Sequence, residues 1–251
     1  MPSDLSRLAC GTPTIVSPIG EILSHISDVI DTYVDELEEL SDESDRRVTL
    51  FGPYIGRSLL ELCLTAIIAR IDPFRVLVLR QVQRQPDYDV GIRRATSIQW
   101  QGDILCKETP PKLLWDANLG FDRITRALLA DYYDHLFWRK ALTDVIDQTD
   151  DALGGAWMTS LRETEPQAFL PRMRSSASRL YSSLSKGVHH EFVVPPAAQY
   201  DRVTVANLIS QSLQLVSCAS LVANQIPHIP FSVTSAEAVA LLENIQEMEL
   251  P

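Results

Sequence analysis

The side chains best equipped for chemistry gather between Arg179 and Phe192, in the run R-L-Y-S-S-L-S-K-G-V-H-H-E-F. Histidine exchanges a proton near neutral pH, and a guanidinium or ammonium holds an oxyanion. His189 or His190 as acid–base residue, with Arg179, Lys186 or Arg57 holding an oxyanion, would therefore make a site for proton-transfer chemistry on an anionic substrate. A plainer reading competes with it: one imidazole bonds the frayed carbonyls of a helix end while the other faces water. Neighbouring histidines on an extended segment point to opposite sides, so His189, His190 and Glu191 make a poor ligand set, and no metal or other cofactor is expected.

Arg57 also stands four residues before Glu61 on a predicted helix, the spacing of an ion pair. Either the pair lies near the exposed start of that helix or it enters a pocket, where a desolvated guanidinium becomes a ligand for an anion. A different kind of site is suggested by Arg93 and Arg94 beside Trp100 and Trp115. Cations and large rings on an irregular segment form a contact surface, unless the two tryptophans fill the core. His135, among Tyr132, Tyr133 and Trp138, reads as a hydrogen-bonded boundary residue.

The elements that must position these groups are helical. Ser17-Pro18 is a helix start, serine capping an orphan donor and proline needing none. From there Ile19, Leu23, Ile26, Ile30, Val34, Leu37 and Leu40 recur at three and four, one apolar stripe on a helix that ends in S-D-E-S-D. A second helix over about Pro53–Ile71 is apolar nearly all round and should be enclosed by others. Helices are further predicted for Asp116–Asp147, Pro171–Lys186 with Gly187 as its stop, Val203–Asn224, and a short last one capped by Thr234 or Ser235. Residues 1–14 read as a flexible arm. Residues 84–115 form an irregular insertion with room for a hairpin turning at Gln101-Gly102-Asp103. The expectation is a single all-α domain over 1–251, a helical bundle with that insertion.

Charge is distributed unevenly. The formal net charge is −11, which argues against a surface built as a whole for nucleic acid. Asp28, Asp31, Asp35, Glu36, Glu38, Glu39, Asp42, Glu43 and Asp45 follow one another without a base, either a solvated outer face or a partner-binding one. Between Arg70 and Arg94 the balance reverses, with Arg70, Arg75, Arg80, Arg84, Arg93 and Arg94 against Asp72, Asp87 and Asp89, leaving room for a local nucleic-acid-binding face. The four cysteines, Cys10, Cys63, Cys106 and Cys218, form no C-x-x-C pair and read as reduced thiols of a cytoplasmic protein. No leader-like segment opens the chain, and its apolar runs are broken by charges, so no membrane insertion is expected.

Dinucleotide, phosphate-loop, zinc-protease, esterase-elbow and EF-hand signatures are all absent. The late helix running L-Y-S-S-L-S-K-G-V-H-H into a further apolar helix, from about Pro171 to Asn224, resembles the HEPN-like helical domains of bacterial toxin and phage-defence systems. That resemblance implies a helical bundle, often dimeric, and in catalytic members a metal-independent ribonuclease with an arginine four to six residues before a histidine. Here nine residues separate Arg179 from His189, and eight separate Arg126 from His135. Two expectations follow. The first is a non-catalytic accessory or interaction protein of a defence complex, binding a protein partner or a second copy of itself through the acidic helix or the Arg/Trp insertion. The alternative is a divergent ribonuclease using His189 or His190.

Overall fold

A computed structural model describes residues 2–92, 96–106, 125–188 and 200–251. Among them every regular element is a helix: α1 (Asp4–Cys10), α2 (Pro18–Ser41), α3 (Asp45–Ile71), α4 (Pro73–Gln83), α5 (Asp131–Tyr133), a π-helical turn at Asp134–Trp138, α6 (Arg139–Gln148), α7 (Gly155–Arg162), α8 (Pro166–Val188), α9 (Arg202–Ala223) and α10 (Ser235–Gln246). The chain is an all-α helical bundle, as its periodicity predicts.

Two caps fall where the sequence places them, at Ser17 and Thr234, and Asp201 adds a third. Ser17 Oγ accepts from Gly20 N at 3.1 Å, Asp201 Oδ1 from Thr204 N at 2.7 Å, and Thr234 Oγ1 from Glu237 N at 3.2 Å. The two helices with the most buried residues form the centre. α3 packs against α9, α2 and α8, and α9 also meets α8, α10 and α1. Though α9 is long and apolar enough to cross a membrane, most of it is enclosed by its neighbours. Glycine sets the closest approach: a Cβ on Gly52 would stand 2.4 Å from Val205 Cγ1, and one on Gly187 2.4 Å from Pro53 Cβ.

Several boundaries depart from expectation. Residues 4–10 are not a loose arm but the helix α1, capped by Ser3 and burying Leu5, Leu8, Ala9 and Cys10. α3 starts at Asp45 rather than at Pro53, which lies inside it. Proline at 53 forgoes one helical hydrogen bond and gains the contact with Gly187. Likewise Gly187 does not stop α8, which runs on to Val188, and Pro171 lies within that helix instead of starting it.

The predicted helix from Asp116 is not formed over residues 125–130. Their backbone is spent elsewhere: Leu128 N bonds Asp103 O at 2.7 Å and Leu129 N bonds Ile104 O at 3.0 Å. Three carbonyls of the same stretch accept from side chains, Arg126 O from Arg75 at 2.7 Å, Leu128 O from Trp138 Nε1 at 3.0 Å and Leu129 O from Arg174 Nε at 2.7 Å. With those groups satisfied, the apolar residues Ala127 to Ala130 are buried in a turn, Ala130 N bonding Ala127 O at 3.1 Å, in place of a continuous helix.

The turn at Gln101-Gly102-Asp103 exists, but it is a tight loop in place of a hairpin. Leu105 N bonds Trp100 O at 2.9 Å, and a single β-bridge joins Gln101 to Leu105. Asp72, at the junction of α3 and α4, ties this loop down. It accepts from Tyr133 Oη at 3.3 Å and pairs with Arg126 and with Arg75, which reaches Asp103 at 3.1 Å.

Candidate functional site

Arg57 and Glu61 do meet, one helical turn apart on α3, with Nε 2.9 Å from Glu61 Oε1. Their surroundings combine the two readings of this pair. The guanidinium also donates to Tyr181 Oη on α8 at 2.7 Å and lies 4.5 Å from that ring's centroid. Trp100 stacks on the other partner of this contact, its ring 4.1 Å from that of Tyr181 and inclined by 12°. Burial pushes the Tyr181 hydroxyl up, against the pull of Arg57. Three residues singled out in the sequence, Arg57, Glu61 and Trp100, are thus brought together around a fourth, Tyr181, that was not. The insertion carrying Trp100 is clasped to the bundle at this point.

Arg179 belongs to another face. It precedes Tyr181 by two positions, about 200° around α8, and donates to Gln211 Oε1 on α9 at 2.8 Å. Arg57 and Arg179 therefore do not converge. His189, His190, Glu191, Arg93, Arg94 and Trp115 lie outside the described residues. Of the arginine-rich stretch, four members are spent inside the molecule. Arg80 and Arg84 pair with Glu21, Arg75 with Asp72 and Asp103, and Arg70 is fully buried. His228, not His135, is the imidazole with a backbone contact, 3.3 Å from Ile71 O.

The arrangement with most open chemistry lies between α2 and α3. There a groove of about 410 Å³ is walled on one side by Glu36, Glu39 and Glu43 and on the other by Phe51 and Tyr54. Glu36 and Glu39 stand three residues apart on α2, and Glu43, four residues further on, lies in the bend just past the end of that helix. Glu36 and Glu39 are exposed, and neither forms an ion pair among the described residues. Opposite them Phe51 and Tyr54 are about half exposed, at 49% and 51%. Tyr54 Oη lies 2.9 Å from Tyr33 Oη, and the two rings meet edge to face at 6.0 Å. Burial, and next that hydrogen bond, push the Tyr33 hydroxyl up. Arg47 pairs with Glu43 and places its guanidinium 6.0 Å from the centre of the Phe51 ring.

Sequence reading found the acidic wall and missed the aromatic one, because α3 was taken to start at Pro53. A signal was present. Val48, Gly52, Ile55 and Leu59 hold the buried phase of α3, and Phe51 and Tyr54 fall off it. Large rings out of phase with their helix's core stripe face outward. No family model, curated protein or solved structure matches this chain.

Proposed function

We propose that the protein is a non-catalytic helical interaction module that takes a basic, helical segment of a protein partner into the groove between α2 and α3. The observation that carries this reading is the placing of Glu36 and Glu39, which form no ion pair among the described residues, opposite exposed aromatic rings. Acids alone would be an ordinary solvated face. Rings opposite them supply apolar area and cation–π faces, which a solvated surface has no use for. Arg47 already lies in the groove against Glu43 and Phe51, so the site's preference for a guanidinium is met once within the chain itself.

The glutamate spacing also selects the shape of the occupant. Glu36 and Glu39, at i and i+3 on α2, match lysines or arginines at the same spacing on a second helix, whose next cation one turn on would face Glu43 past the helix end, with an apolar residue between them to meet Phe51 and Tyr54. The resemblance to HEPN-like domains suggests an accessory part of a bacterial defence complex as the setting. The ribonuclease alternative is less favoured because Arg57, its first phosphate ligand, is held by Glu61 and Tyr181. We expect His189→Ala and His190→Ala to leave RNA as intact as the wild-type protein does.

Fluorescence anisotropy of a labelled amphipathic peptide with lysines at i, i+3 and i+7 tests the reading. The wild-type chain should bind it, more weakly as salt rises, and a glutamate analogue of the peptide should not bind. Glu36→Lys/Glu39→Lys should weaken binding by about tenfold or more, a change of about 1.4 kcal/mol. Equal affinity of that variant would dispose of the groove as the site.

A further inference from the structure

A second concavity, sharing no residue with the groove, opens where α7, α8 and α9 meet. It encloses about 380 Å³, within the size range of small-molecule sites. The floor is apolar, made by Leu161, Phe169, Met173 and Leu180 with Trp157 at one side. Among the described residues its charged lining is Arg172 and Arg179, with no carboxylate.

In a chain of net charge −11, an arginine ordinarily finds an acid, as Arg57, Arg75, Arg80, Arg139 and Arg174 do here. Arg172 and Arg179 do not. Arg172 donates to Thr164 Oγ1 at 3.1 Å and Arg179 to Gln211 Oε1 at 2.8 Å, both neutral acceptors, and neither forms an ion pair among the described residues. Seven residues apart, they rise from one face of α8 about 10 Å from each other. Each is exposed, with guanidinium donors to spare. Their full charge is thus presented beside an apolar floor.

We infer that this cleft binds an amphipathic organic oxyanion, its apolar body on the Leu161–Phe169–Met173–Leu180 floor and its carboxylate or phosphate head at Arg172 and Arg179. A hydrophobic bed supplies affinity without orientation, and the guanidinium fork supplies the preference for a planar or tetrahedral oxyanion. An inorganic anion would gain only the second of these and a neutral lipid only the first. Both should therefore bind poorly.

Titration of the full chain with 8-anilinonaphthalene-1-sulfonate, an aromatic body bearing one anionic head, tests this by fluorescence. The wild-type protein should bind it saturably with one equivalent. Octanoate or octyl phosphate should displace it, the more effective of the two identifying the preferred head, whereas octanol and inorganic phosphate should displace it far less. Arg172→Gln/Arg179→Gln should weaken binding at least tenfold, and Arg172→Lys/Arg179→Lys should retain most of it. Both arginines are exposed, so circular dichroism should show all three proteins folded alike. Unchanged affinity in the glutamine variant, displacement by octanol as readily as by octanoate, or failure of both octyl anions to displace the dye would each overturn the inference.

Discussion

Arg70 is the most demanding single residue in the structure. It is fully buried, yet its partners are neutral: Leu8 O and Ala9 O at 3.4 and 3.2 Å, Pro230 O at 3.2 Å and Asn224 Oδ1 at 3.0 Å. Two of these carbonyls belong to the last turn of α1, the negative end of its dipole. Burial lowers its pKa to about 10, which still leaves it charged at neutral pH. One side chain thereby joins α1, α3, the end of α9 and the loop before α10. We expect Arg70→Ala to cost about 3 kcal/mol or more in urea unfolding, since it strands several buried acceptors at once.

Asp134 shows the opposite balance. Its Oδ2 pairs with Arg139, but buried Oδ1 has no partner among the described residues. Burial, opposed by Arg139, pushes its carboxyl above the ordinary aspartate value of 3.8. A folded-state value above the unfolded one means that the folded state holds the proton longer. Stability therefore falls as pH rises from about 3.8 through that raised value and stays reduced at neutrality. Asp134→Asn should raise the urea midpoint at pH 7, and the gain should vanish toward pH 3; a gain independent of pH would contradict this account. Thiol chemistry offers a simpler check. Burial raises the pKa of Cys10 and Cys218 to about 12 and that of Cys63 well above its usual range, while Cys106 is only half-buried. An aromatic disulfide reagent should titrate Cys106 in the native protein and the other three only after unfolding.

Among the elements, the contact of α3 with α9 turns on small residues. Gly52 and Gly56 let the helices close to the point where added Cβ atoms would lie 2.4 Å from Val205 Cγ1 and 3.1 Å from Ile209 Cγ1. Helix propensity alone would make Gly52→Ala stabilising by about 1 kcal/mol. Overpacking of a filled interface costs about 1–3 kcal/mol and should win, so thermal unfolding should shift downward. The same competition explains what was legible in the sequence. Caps are local chemistry, and Ser17 and Thr234 announced their helices. α1 was missed because one short segment carries too little periodicity, its helicity depending on burial of Leu5 and Leu8 against its neighbours. Residues 125–130 have the apolar spacing of a helix, but the loop at Asp103 and Ile104 takes their amides, a tertiary event that no local pattern records. The Arg57–Glu61 pair was readable from spacing; Tyr181 between it and Trp100 required the fold.

Among the described residues, charge is sorted into regions of opposite sign. Glu36 and Glu39 form no ion pair along α2, and Arg172 and Arg179 none along α8, although neutralising groups are abundant in the chain. Two unneutralised regions, each beside apolar surface, are consistent with a protein that meets a basic partner on one side and an amphipathic anion on another.

The most direct test of the proposed partner is a charge swap. Glu36→Lys/Glu39→Lys should lose the lysine peptide and regain affinity for a peptide whose facing lysines are glutamates, while Phe51→Ala/Tyr54→Ala should weaken both pairings. Restored binding measured by anisotropy would place the peptide helix against α2 as proposed. If the swapped pair fails to bind while the wild-type protein holds the original peptide, the affinity comes from elsewhere on the surface and the groove is not the docking site.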